Sequence, residues 1–206
     1  MHRVSLETPY RGFLLETAWL LQEFGQALQK FRNGEFTERT LSLTSEMATI
    51  RLHDSWARFC REVVVSSAAD EPFTGKGMRL PKAPGIRCRG DVIPLIIKSM
   101  HLRFEPRWAT ASQTVQAAAI LRIVNLPTVS AALGAANSPA EELRHVRNFF
   151  AHRAENTASE IKRQHFFFAG MRMEVIDLLA AAVHGGVSRF ESWVLGLRVV
   201  GVASIQ

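Results

Sequence analysis

Apolar side chains return every three or four positions along most of this chain. From residue 8 to residue 31 this spacing is continuous, and Asn33-Gly34 follows as a stop signal. The same spacing runs from residue 37 to residue 66, where an apolar side lies opposite a polar one. Both segments are therefore predicted to be amphipathic helices with one buried face.

Glycine and proline interrupt this pattern between residues 70 and 91. Residues of these two types at such density predict turns or a short hairpin, not a helix. Basic side chains lie among them: Lys76, Arg79, Lys82, Arg87 and Arg89. A flexible basic loop of this kind either follows a nucleic-acid backbone or is a solvated connector, and both interpretations stay open.

Helical spacing resumes after the loop and continues, with breaks, to about residue 184. The predicted segments are 92–101, 112–125 (ended by Pro127), 128–133 (closed by Gly134), 138–153 and 158 to about 184 (closed by Gly185-Gly186). The tail after Val187 fits either a helix or a strand. Residues 1–206 are thus predicted to form one all-α domain, with the 70–91 loop inserted in a helical bundle.

Charge and cysteine content narrow the classes of function. The net charge is +6, and arginine supplies most of the 25 basic residues. Arginine suits phosphate binding and base stacking, so the composition favours a nucleic-acid partner, although coding bias also enriches arginine. Cys60 and Cys88 are too few for a disulfide scaffold. Without a signal core or a spanning apolar run, a cytoplasmic protein with no membrane partner is predicted.

Common metal and nucleotide motifs are absent from the sequence. It has no HExxH, Walker loop, G-x-G-x-x-G or G-x-S-x-G. His145 and His152 lack cysteine or carboxylate companions at ligand spacing. No metal site and no cofactor are therefore predicted. His53 and Asp54 are predicted to pair locally on the surface of the second helix.

The segment 138–153 carries the most suggestive chemistry. Ser138-Pro139-Ala140-Glu141 is a strong helix start, with a serine cap, a proline at the first position and a glutamate completing a capping box. On a helical wheel one side is apolar and predicts the core stripe Leu143, Val146, Phe149 and Phe150. The other side is polar and holds, in order, Arg147, Ala151, Arg144, Asn148, His152 and His145.

Arg147 and His152 flank this polar face and do not form a ready-made pair. On an ideal helix they lie about 140° apart. A single phosphate is held by both only if the helix unwinds near His152 or if a second subunit completes the site. The spacing therefore favours a dimer.

The stretch Arg147-Asn148-Phe149-Phe150-Ala151-His152 resembles the R-x4-6-H signature of the HEPN superfamily. The specific match covers about six to eleven residues, from Leu143 to Arg153 at most. The resemblance implies a compact α-helical bundle that dimerises, with the two motifs around one cleft. It also implies a metal-independent RNase that acts as a toxin, in phage defence or in RNA processing.

The mechanism that the resemblance and the residue types imply is attack of the RNA 2′-hydroxyl on the adjacent phosphorus, which leaves a 2′,3′-cyclic phosphate and a 5′-hydroxyl. The resemblance gives His152 the role of proton transfer, Arg147 that of charge stabilisation and Asn148 that of orienting the phosphate or the histidine. Three further residues are candidate RNA contacts and equally consistent with a solvated surface: Arg144, His145 and Arg153.

The sequence thus predicts an endoribonuclease that works as a homodimer, a toxin or phage-defence effector restrained by an antitoxin or regulatory protein. One alternative is an inactive HEPN-like module that binds RNA or nucleotide or serves in dimerisation. The other is a plain helical interaction domain whose polar face is only solvated.

Overall fold

The computed structural model of the protein describes residues 4–134, 139–164, 167, 170–183 and 186–206. This part of the chain contains isolated β-bridges but no strand, so the all-α prediction is confirmed. The helices are α1 (Glu7–Arg32), α2 (Glu38–Ala69), α3 (Arg89–Ser99), α4 (Ala111–Leu121), α5 (Leu126–Leu133), α6 (Pro139–His152), α7 (Glu155–Lys162), α8 (Val175–Leu179) and α9 (Arg189–Ser204). None of the described helices is long and apolar enough to cross a membrane.

The chain divides into two compact units. The first unit comprises Met1–Leu14, Ser55–Ser138 and Arg198–Gln206. Aromatic rings fill its core: the ring centres of Phe13 and Phe59 lie 5.4 Å apart, and Trp56 lies 5.4 Å from Phe59. Buried aromatic side chains of this size contribute much of the hydrophobic stabilisation of a small unit.

The second unit comprises Leu15–Asp54 and Pro139–Leu197. In this unit α9 packs closely on the start of α6, because a Cβ at Gly196 would lie 2.8 Å from the Pro139 ring. Nearby, the buried Trp193 indole donates a hydrogen bond of 2.8 Å to the Glu142 carboxylate. Both contacts fix the N-terminal half of α6 against the rest of its unit.

The segment predicted as a basic loop is irregular from residue 70 to residue 88, but α3 already includes its last three residues. The Asp91 carboxylate accepts hydrogen bonds from the Arg87 and Cys88 amides, and this starts α3 earlier than its apolar pattern suggests. An antiparallel β-bridge between Phe73 and Arg79 closes a small hairpin turn within the loop. Two of the basic side chains are paired with carboxylates: Arg79 with Glu71, and Arg89 with Glu62 and Asp70.

Two boundaries around Pro127 differ from the prediction. The helix α4 ends at Leu121, because Arg122 adopts a left-handed conformation with φ of 55°. Pro127 therefore does not end α4 but lies in the first turn of α5, where proline is well tolerated.

The single helix predicted from residue 158 to about 184 is wrong. The helix α7 ends at Lys162, and only the short α8 follows within the described residues of this range. Gly170 has φ of 90°, which an α-helix does not accommodate. The predicted stop falls partly outside the described residues, which exclude 184 and 185. After it, the undecided tail forms the helix α9.

Candidate functional site

The motif helix α6 buries the predicted apolar stripe. Leu143, Val146, Phe149 and Phe150 are all buried, so the orientation derived from the sequence is confirmed. The capping residue Ser138 lies outside the described residues. The helix ends at His152, one residue earlier than predicted, because Arg153 has φ of 49° and its amide donates to the Phe149 carbonyl at 2.7 Å.

Arg147 is a half-buried cation that has no carboxylate partner among the described residues. Its Nη1 donates to the Asn148 side-chain oxygen at a distance of 3.4 Å. Its Nε is buried and has no hydrogen-bond partner in the described part of the chain. A buried polar atom without a partner costs about 1–3 kcal/mol, so this arginine is retained in an unfavourable environment.

Arg144 and His145 contact each other. The Nε of Arg144 donates to the Glu141 carboxylate at 2.7 Å, and its Nη2 lies 3.0 Å from the Nε2 of His145. Burial, followed by the Arg144 charge, lowers the pKa of His145, while Glu141 and Glu160 act in the opposite direction. Because a guanidinium only donates hydrogen bonds, the Nε2 of His145 is the acceptor.

Arg153 anchors the end of α6 to α2. Its guanidinium forms an ion pair with Glu46 and lies 5.0 Å from the ring centre of Phe149 and 5.3 Å from that of Phe150. Cation–π contact and an ion pair together hold this side chain. The predicted RNA contact is therefore occupied by a partner on α2.

His152 is the last residue of α6, and its side chain is exposed. Because α6 is helical through His152, the helix does not unwind between Arg147 and His152. The separation of about 140° expected for an ideal helix therefore applies to these two residues. A continuous α6 therefore does not by itself bring Arg147 and His152 to one phosphate.

His53, on α2, is a member of this site that the sequence did not reveal. The predicted pairing with Asp54 is confirmed, with 3.3 Å between His53 Nδ1 and Asp54 Oδ1. The pair lies at the surface as predicted, with Asp54 exposed, but the His53 side chain is half-buried and only 16% exposed. Burial lowers the pKa of His53, the Asp54 hydrogen bond and charge raise it, and Arg147 and Arg144 lower it further.

No family model, curated protein or solved structure matches this chain. Within the described residues, no group of three or more histidine, cysteine and carboxylate side chains is placed to hold a metal ion. The candidate site is formed by two helices. The helix α2 contributes His53, and α6 contributes Arg144, Arg147, Asn148 and His152.

A stability measurement tests the burial of His53. Its pKa and that of His145 lie below the ordinary value of about 6.5, so the unfolded chain takes up protons first as the pH falls. The free energy of unfolding, measured with urea, is therefore expected to decrease as the pH drops below about 6.5. His53→Gln should make this decrease in unfolding free energy smaller, and the remaining decrease should be the part that His145 causes. An equal decrease in wild type and variant would contradict the burial of His53.

Proposed function

We propose that this protein is a metal-independent endoribonuclease that cleaves RNA through attack of the 2′-hydroxyl and leaves 2′,3′-cyclic phosphate ends. The observation that carries this proposal is the environment of Arg147. It is a half-buried guanidinium on the helix that resembles the HEPN motif, and no described carboxylate neutralises it.

The other two arginines on or next to α6 support this choice by contrast. Arg144 is paired with Glu141, and Arg153 is paired with Glu46. Among the described residues, the hydrogen bond that Arg147 donates goes to a neutral amide, that of Asn148. A guanidinium with donors to spare in a partly desolvated place binds a phosphate more strongly than an exposed one does, because water screens its charge less.

The roles follow from the residue types. Arg147 stabilises the negative charge that builds on the phosphorane oxygens, and Asn148 holds the guanidinium through its side-chain oxygen. His152 is exposed at the end of α6 and is free to exchange a proton with the substrate. Because Arg147 and His152 lie on different sides of α6, the active unit in this proposal is a homodimer.

The proposed cellular role is that of a toxin or phage-defence effector in the cytoplasm. An RNase of this kind needs restraint, and an antitoxin or another regulatory protein is the partner that would supply it. The net charge of +6 favours the approach of RNA, the proposed substrate.

The test is a cleavage assay in EDTA with purified protein, labelled RNA and a matched DNA. We expect RNA fragments with cyclic phosphate ends and no cleavage of DNA, because DNA lacks the attacking 2′-hydroxyl. An RNA with a single 2′-deoxy nucleotide should be spared at that position. Binding of RNA without cleavage would instead indicate an inactive binding module. Neither binding nor cleavage would indicate a helical interaction domain.

A further inference from the structure

We propose that His53 is the general base of this site and that His152 supplies the acid. This inference rests on the proposed ribonuclease function. Cleavage of RNA needs one group to take the 2′-hydroxyl proton and another to protonate the leaving 5′-oxygen. The motif on α6 offers one exposed histidine for these two steps, and α2 places a second histidine beside the same helix.

The register of α2 against α6 places His53 opposite Arg147. The ion pair between Arg153 and Glu46 fixes one point where the two chain segments meet. His53 follows Glu46 by seven residues, or two helical turns of about 5.4 Å each, and so lies on the same face of α2. Arg147 and Arg144 precede Arg153 by six and nine residues. The charges of Arg147 and Arg144 act on His53, so these side chains lie near it, and together with the ion pair this means that α2 and α6 pass each other in opposite directions here.

The hydrogen bond to Asp54 determines which ring nitrogen of His53 is available to accept a proton. A carboxylate only accepts hydrogen bonds, so the Nδ1 that lies 3.3 Å from Asp54 Oδ1 carries the proton. The lone pair of the neutral ring is then on Nε2, and no other hydrogen bond engages His53 within the described residues. A carboxylate that orients a neutral imidazole in this way is the usual support of a histidine base.

The charges around His53 keep it in the basic form. The groups that face it are Asp54 on its own helix and Arg147 and Arg144 on α6. The two cations and the burial of the ring lower its pKa, while Asp54 raises it. His145 also lies on α6, but its Nε2 is engaged by the Arg144 guanidinium. Among the described residues, His53 is thus a histidine beside α6 whose Nε2 has no hydrogen-bond partner.

In the proposed reaction, His53 takes one proton and His152 supplies another. The Nε2 of His53 takes the proton of the 2′-hydroxyl, and the 2′-oxygen forms a bond to phosphorus. The bond from phosphorus to the 5′-oxygen breaks, and that oxygen takes a proton from the His152 imidazolium. The products are a 2′,3′-cyclic phosphate, a 5′-hydroxyl, a protonated His53 and a neutral His152, and solvent returns the proton.

His53→Gln tests this assignment, with His101→Gln as the control. Glutamine has a similar size and cannot take the proton, so we expect kcat for RNA cleavage in EDTA to fall by about 10²–10⁴-fold. His101 is exposed, and its variant should cleave at the wild-type rate. A His53→Gln protein that is folded by circular dichroism and cleaves as fast as wild type overturns the assignment. In that case the ribonuclease proposal itself still stands.

The pH profile separates a base from a merely structural histidine. In wild type, kcat/KM should fall on the acidic side with a midpoint below about 6.5, where His53 becomes protonated. Asp54→Asn removes a charge that raises the pKa of His53, so this midpoint should move to lower pH. A midpoint that does not move in Asp54→Asn overturns the assignment. A wild-type protein that cleaves no RNA overturns the ribonuclease proposal, and the role of His53 with it.

Discussion

Arg147→Ala should reduce the rate of RNA cleavage in EDTA by about 10²–10³-fold, the usual effect of losing one preorganised donor to a developing oxyanion. The same variant should unfold at an equal or higher urea concentration than wild type. The reason is that the Nε of Arg147 is buried without a partner, and its removal relieves that unfavourable desolvation. Loss of activity together with unchanged or greater stability is the expected signature of a residue kept for function.

Two variants sharpen this result. Arg147→Lys keeps the positive charge but lacks the planar fork of donors, so it should recover only a small part of the activity. Arg163→Ala is the matched control, because Arg163 is an exposed arginine on the surface beside α7, paired with Glu160 at 3.0 Å. An Arg147→Ala protein that is destabilised and still cleaves RNA would show that Arg147 is a structural residue.

The long amphipathic helices were predictable from the sequence to within a few residues. The segments 8–31 and 37–66 correspond to Glu7–Arg32 and Glu38–Ala69. Over such lengths the apolar period repeats many times, and tertiary packing follows it. The prediction of one helix from residue 158 was wrong because the apolar spacing continues through a region where the backbone leaves the helical conformation. Gly170 adopts a positive φ there, which the spacing of apolar side chains does not indicate.

Only the part of the candidate site that lies on the single helix α6 was predictable from the sequence. The orientation of α6 follows from its own sequence, and so does the separation of Arg147 from His152. His53 was not predictable, because its position depends on the pairing of α2 with α6, which are distant in the chain. The dipeptide His53-Asp54 gives a local hydrogen bond. Burial and the two facing arginines appear only after the helices pack.

Mixing two inactive variants should restore activity if each active site is shared between subunits. In an Arg147→Ala homodimer both arginines are missing, and in a His152→Ala homodimer both histidines are missing. A mixed dimer keeps the arginine of one chain and the histidine of the other. Random exchange makes half of the dimers mixed, and each keeps one of two complete pairs, so about a quarter of the wild-type rate is expected.

This recovery follows from the geometry of α6, in which a continuous helix keeps Arg147 and His152 on different sides. The mixed dimer is isolated with two affinity tags, and its mass is measured by light scattering, so that subunit exchange is verified before the assay. A verified mixed dimer without activity would mean that both residues act within one chain. A wild-type protein that is a monomer at assay concentration and cleaves RNA would contradict the shared site directly. Recovery near a quarter in the unfractionated mixture, and near a half for the isolated mixed dimer, would show that the arginine of one α6 works with the histidine of another.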